Sequence, residues 1–273
     1  MLRGFLSPPV PVPVEFRHAL MAWIIDLTKT AAARRAYRAI GGGLRSLAVG
    51  LVLLFPAAAQ TPAATVPEVT RQAAAPVVDK RIILLIDSSK SMTDEHYSWQ
   101  LNGFADAFLS ADSIAAIAEG KNASIAMALV QFSSRVSVSL DWTIVTPDNI
   151  EAFAAKLRTI PRFRPDSTSI GLGLSKAGQM IQRTEIQSAQ TIIMVSGDGP
   201  NNVGFPPYPI SEEISSWLKT TIVGIALESA DEYELETYYR KFVARGPGNF
   251  VVWARSEDDL RNALVRVLTL NNK

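Results

Sequence analysis

A chain of 273 residues, 48% hydrophobic and 19% charged, is long enough for one full α/β domain with appendages. It has no cysteine, which excludes disulfides, thiolate nucleophiles and any Cys-ligated zinc or iron-sulfur centre. Its two histidines, His18 and His96, are too few for a multi-His metal site and leave a histidine-dependent triad a single possible base.

The amino end reads as an address. Arg34, Arg35, Arg38 and Arg45 precede the apolar run Leu47 to Phe55, and Ala57, Ala58 and Ala59 follow it. Basic region, short apolar region and small-residue site in that order describe a secretory signal, with the cut expected after Ala59. The apolar run is about half the length needed to cross a bilayer, so a retained membrane anchor is the weaker alternative. Pro8, Pro9, Pro11 and Pro13 lie oddly far upstream for such a signal, which leaves Met21 as a competing start. Removal of residues 1–59 takes away seven of the 27 basic and two of the 26 acidic residues, leaving 20 against 24 and a formal charge of −4. That balance argues against a nucleic-acid surface. Residues 60–76, rich in Ala, Thr and Pro, are expected to be a tether, and residues 77–273 the folded domain.

Within that domain, the five apolar residues Ile82 to Ile86 are too few for a helix and too uniformly apolar for a half-exposed strand. They predict a central strand covered on both faces and ending in Asp87. From Asp94 to Ala118, Tyr97, Leu101, Phe104, Ala105 and Phe108 follow helical spacing, and the pattern predicts one helix closed by Gly120 to Asn122. Ser124 to Phe132 reads as a second buried strand. Val136, Val138, Leu140, Trp142 and Ile144 alternate with polar residues, as a half-exposed strand does, and the short Ser133 to Arg135 link makes that strand an antiparallel edge. Thr146 and Pro147 predict a capped helix running to Arg158.

The rest alternates. Helices are expected at Thr168 to Gln182, Ser211 to Leu218, Asp231 to Ala244 and Ser256 to Leu270, the last opened by a Ser256 and Asp259 capping box. Strands are expected at Gln190 to Ser196, Thr221 to Leu227 and Phe250 to Ala254. The fold class is therefore α/β: a doubly wound, mostly parallel, Rossmann-like sheet of about six strands with one antiparallel edge strand and helices on both faces.

In such a sheet the loops after the first and fourth strands face one another near the switch point. Asp87, Ser89 and Ser91 come from the first loop, Asp198 from the fourth, and Thr168 from the loop opening the Thr168 helix. Three oxygens from Asp87, Ser89 and Ser91 suit a hard divalent cation. With Thr168 and Asp198 added, residues 77–273 resemble a von Willebrand factor type A (VWA) domain with a metal-ion-dependent adhesion site (MIDAS). The run Ser196-Gly197-Asp198-Gly199-Pro200-Asn201-Asn202 resembles most a group of exported bacterial proteins of this type.

The resemblance implies a non-enzymatic domain, periplasmic or secreted, that holds Mg2+, with Mn2+ or Ca2+ as substitutes, through Asp87, Ser89, Ser91, Thr168 and Asp198. An exposed Glu or Asp of a protein partner would complete the ion's coordination, and the final helix would slide between affinity states. Lys90 departs from the family pattern, where Gly is common, and its ammonium either competes with the cation or points to solvent. The alternative for Ser91 and Thr93 is simple helix capping. Asn201 and Asn202 shape the loop or add a ligand, the loop role being preferred.

Arg158, Arg162 and Arg164 read by default as a solvated basic loop at the rim, and His96 as a surface or capping residue. Trp99, Trp142, Trp217 and Trp253 are expected mostly in the core, and Pro206 to Pro209 as a rigid exposed turn. Asn122-Ala123-Ser124 fits a glycosylation acceptor, relevant only in a eukaryotic secretory route. Two other functions compete: a metal-independent interaction module with a vestigial site, and an Asp87-nucleophile phosphatase. The second resembles haloacid-dehalogenase-like enzymes at one step but has Ser89 where they need a second Asp.

Overall fold

The computed structural model describes residues 74–163, 166–228 and 234–270. The expected leader, most of the expected tether and Arg164 lie outside the described residues.

Six strands form one sheet: β1 (Val77–Asp87), β2 (Ile125–Phe132), β3 (Val136–Val145), β4 (Gln187–Gly197), β5 (Thr220–Leu227) and β6 (Val251–Ala254), in the order β3-β2-β1-β4-β5-β6. All pairings are parallel except β2 with β3. Seven helices are described: α1 (Asp94–Leu109), α2 (Ala111–Ala118), α3 (Ile150–Arg158), α4 (Ile170–Arg183), α5 (Pro207–Leu218), α6 (Leu235–Phe242) and α7 (Glu257–Thr269). This is the doubly wound, Rossmann-like architecture expected, with the reversal of strand order between β1 and β4.

The central strand shows why its sequence is a continuous apolar run. Ile82, Leu84 and Ile86 enter a core with Phe104, Phe108, Leu157 and Leu260, from α1, α3 and α7. Ile83 and Leu85 enter the opposite core with Ile170, Leu174, Ile214 and Tyr239, from α4, α5 and α6. Each fully buried Ile or Leu contributes roughly 1.5–3 kcal/mol of transfer free energy. Packing on both faces therefore fixes which way Asp87 points at the strand's end.

Local chemistry changes several expected elements. The helix expected over Asp94 to Ala118 is two, because Ser110 is extended (φ −66°, ψ 145°) and its hydroxyl caps α2 by accepting the Ser113 N–H at 3.3 Å. The helix expected to open at Thr146 and Pro147 begins only at Ile150, after a turn in which Asn149 Oδ1 accepts the Thr146 N–H at 2.9 Å. Pro206 to Pro209 is not a separate turn: Pro207 starts the first turn of α5, where a missing N–H costs nothing, while Pro206, Tyr208 and Pro209 are exposed as expected. The Ser256 and Asp259 capping box is present as expected.

The regular alternation of β3 does not give one exposed and one buried face. Register shifts near Met127 and Leu129 rotate the strand, so that Leu140 and Val145 join one core while Val136 and Trp142 pack against the other. Of the four tryptophans among the described residues, Trp99 and Trp142 are partly buried, whereas Trp253 is 37% and Trp217 73% exposed, a correction to the expected place of these two in the core. No described helix is long and apolar enough to cross a membrane.

Candidate metal centre

Three loops at the carboxyl ends of β1 and β4 and the amino end of α4 are tied to one another by hydrogen bonds. The Ser91 hydroxyl donates to Asp198 Oδ1 at 2.9 Å, joining the β1 and β4 loops. The Ser89 and Ser91 hydroxyls, 3.1 Å apart, share a hydrogen bond, and the Ser89 N–H donates to Asp87 Oδ1 at 2.7 Å. The Lys90 N–H donates to the Asp166 carbonyl at 3.4 Å, which brings in the loop before α4.

Thr168 is held through its backbone. Its N–H donates to Asn202 Oδ1 at 2.8 Å, and its carbonyl accepts the Asn202 and Val203 N–H groups at 2.9 and 3.2 Å. Asn201 Oδ1 accepts the Gly171 N–H, and its own N–H donates to the Tyr238 hydroxyl at 3.1 Å. The two asparagine side chains thus staple loops together, the role preferred for them over ligation.

Asp87, Ser89, Thr168 and Asp198 are buried, with exposures of 0%, 1%, 2% and 4%, while Ser91 opens to solvent. Thr93, not Ser91, caps α1, accepting the His96 N–H at 3.0 Å. The bland capping role is thereby filled, and Ser91 is left to the site. Lys90 is exposed, so its ammonium projects to solvent rather than among the buried oxygens.

Burial pushes the Asp87 carboxyl up from 3.8 to about 7, the nearby Asp198 adding to the rise, while the Ser89 hydrogen bonds and Arg162 oppose it. Burial raises Asp198 as well, against the Ser91 hydroxyl and the positive charges of His96 and Arg162. Burial is the largest cause of both rises, and only for Asp87 does the other carboxylate add to it. Asp87 Oδ2 is buried and has no hydrogen-bond partner. An orphaned carboxylate oxygen beside a chain of hydroxyls is a donor set of hard oxygens, which fits Mg2+ or a similar divalent ion. Among the described residues there is no group of three or more His, Cys, Asp and Glu placed to hold a metal, so such an ion would need the hydroxyls.

Two residues of the site's surroundings were misjudged or missed. Arg162, expected to be solvated, has a side chain only 13% exposed. Its guanidinium donates to the Ser89 carbonyl at 2.5 Å, to the Met92 carbonyl, and to Asp94 Oδ1 at 2.7 Å, clasping the loop that carries Ser89 and Ser91. Gln131 of β2 fixes the segment beneath it, donating to the Pro161 carbonyl at 2.9 Å and accepting the Phe163 N–H at 2.7 Å. Arg158 does stay at the surface, paired with Asp106. Tyr239 of α6, unremarked in the sequence, is fully buried with an unpartnered hydroxyl beside Asp87. The one local signal was a pair of adjacent tyrosines on an amphipathic helix, where one must face inward.

Comparison with known proteins gives one family match, described as "Protein of unknown function (DUF1194)", over residues 77–271. No curated protein matches the sequence. Proximal thread matrix protein 1 from the mussel byssus is 19% identical over 71% of this chain and 48% of its own, with a TM-score of 0.49. That protein has also been solved with a zinc-occupied MIDAS motif. A von Willebrand factor type A structure from Catenulispora acidiphila is 15% identical over 70% of this chain and 42% of its own, TM-score 0.47. The vWF domain of the type V pili tip protein Mfa5 from Porphyromonas gingivalis is 12% identical over 71% of this chain and 95% of its own, TM-score 0.48. The chain spans under half the length of the first two.

Proposed function

The chain belongs to the DUF1194 family over residues 77–271, and on that premise we propose that it is a non-enzymatic interaction domain that binds a protein partner through a divalent cation. Asp87, Ser89, Ser91, Thr168 and Asp198 would hold Mg2+, or Mn2+ or Ca2+ in its place. The bound cation supplies a coordination position that a partner's Glu or Asp can fill. The observation that carries this reading is the buried, unpartnered Oδ2 of Asp87 beside the Ser89, Ser91 and Asp198 hydrogen-bonded chain.

The chain's own residues do the arranging. Ser91 and Asp198 span the gap between the β1 and β4 loops, Arg162 holds the backbone of the first loop, and Asn202 fixes that of Thr168. These bonds join the loops without help from an ion. Residues 1–59 would direct export to the periplasm or beyond, residues 60–76 would tether the domain, and residues 77–273 would form it. A leader kept as an anchor would place the same domain at a membrane.

Titration with Mg2+ and Mn2+, following heat and melting temperature beside Asp198→Ala, tests the reading. A rise in melting temperature that the mutant loses supports it, by preferential binding to the folded state. No response in the wild type contradicts it and favours the metal-independent module.

A further inference from the structure

Tyr239 is left unused by the ligand set, yet its surroundings form a slot. Its hydroxyl and Asp87 Oδ2 are both buried without a hydrogen-bond partner, one a donor and the other an acceptor. A Cβ placed on Gly197 would lie 2.8 Å from each, so the two oxygens are at most twice that, 5.6 Å, apart. One bridging water or a small rotation spans that gap. The tyrosine ring passes over Gly224, where an added Cβ would meet its Cδ1 at 2.8 Å. Glycines at both positions therefore leave room for the side chain to reach from α6 toward the end of β1.

The strand alternation agrees. Leu85 faces the α4, α5 and α6 core that contains Tyr239, and Asp87, two residues on, shares that face. A phenylalanine would fill the slot with the same ring and no polar group to satisfy, whereas a buried hydroxyl without a partner carries an uncompensated desolvation cost. Asp87 Oδ2 is the acceptor beside the slot that can offset that cost. The neighbouring Tyr238 hydroxyl already holds the Asn201 loop, so α6 touches the site from two sides.

We infer that Tyr239 is a positioning residue for the proposed metal centre: its hydroxyl holds the buried oxygen of Asp87, directly or through one trapped water, and so fixes how that carboxylate is presented. This rests on the metal-binding reading above. It makes Tyr239 an outer partner of a ligand, a role whose loss typically weakens metal binding 10- to 100-fold.

The test is Mn2+ affinity by calorimetry on the full chain, wild type against Tyr239→Phe, with the metal-free melting temperature of both. The inference expects the Mn2+ dissociation constant of the variant to rise about tenfold while a metal-free melt still shows a cooperatively folded protein. Equal Mn2+ affinity in the two proteins overturns the inference alone. A fall in metal-free melting temperature with unchanged affinity also overturns it, marking a purely structural tyrosine. If the wild type takes up no Mn2+, the metal-binding reading fails and the inference falls with it.

Discussion

Two carboxylates on the same strand, Asp79 near the start of β1 and Asp87 at its end, have opposite surroundings. Asp79 is saturated: it accepts the Asn122 N–H at 3.0 and 3.1 Å, the Asn122 side-chain amide at 2.9 Å and the Ser124 N–H at 3.4 Å. Nearby, Arg81 donates to Ser188, to Thr191 and to the Ile186 carbonyl. Asp87 is more deeply buried and worse provided for, with one oxygen accepting from Ser89 and the other orphaned. A carboxylate that staples the fold takes every donor it can. One left short in a dry site, among hydroxyls and a second carboxylate, is arranged for something that arrives later.

Exchanging the two roles by mutation gives the largest expected effect. Asp87→Ala abolishes the Mg2+ response while leaving the metal-free fold as stable as the wild type or more so, since it removes a buried and poorly bonded carboxyl. Asp79→Ala should do the reverse, costing about 1–3 kcal/mol in urea denaturation with Mg2+ affinity unchanged. A drop in folding stability in the first mutant, or of metal affinity in the second, breaks the contrast.

pH sharpens it. The Asp87 carboxyl titrates at about 7 in the metal-free fold against an ordinary value of 3.8. The folded state thus keeps a proton that the unfolded chain releases, so the Asp87 contribution to metal-free stability is greatest below 3.8 and is lost as pH rises toward about 7. Asp87→Asn should flatten that slope in melts recorded across the window. Mn2+ affinity should climb over the same range, because the ion displaces the proton.

Smaller effects follow with distance from the two carboxylates. Arg162→Ala removes the donors clasping the Ser89 and Met92 carbonyls. It is expected to cost about 1.5–3 kcal/mol by urea denaturation, and to weaken Mg2+ binding by loosening the loop. Arg162→Lys should restore only part, because one ammonium does not reproduce a forked guanidinium. Arg158→Ala, which breaks a surface pair with Asp106 whose side chains are 34% and 51% exposed, should change stability by less than about 1 kcal/mol and metal binding not at all.

The sheet was legible because its signals are local: an apolar run means a strand covered on both faces, and a short link after Phe132 leaves no room for a crossover. The capping box of α7 and the hairpin of β3 were readable for the same reason. The break at Ser110 was written in the sequence too, as a residue that caps better than it continues a helix, but continuous helical spacing on either side masked it. The β3 register shifts depend on how β2 and the flanking helices pack, which no alternation reports.

At the candidate site, Asp87, Ser89 and Ser91 were singled out by their spacing after the first strand and Asp198 by its place after the fourth, and hydrogen bonds join these residues in the structure. Arg162 and Tyr239 were not found, because each matters through a contact 70 or more residues away in the chain. Arg162 looked like one cation in a basic loop until its carbonyl partners in the β1 loop were visible. Trp217 misled in the opposite sense: a large aromatic inside an expected helix suggested the core, and the structure turns it to solvent.

The most direct test of the central claim is a crystal of the wild-type protein soaked in Mn2+ and measured for anomalous scattering. The account predicts one strong peak bonded to the Ser89 and Ser91 hydroxyls, with Asp87, Thr168 and Asp198 bonded directly or through water. A well-ordered site with no peak there, the Ser91 to Asp198 hydrogen bond intact at saturating Mn2+, would contradict it.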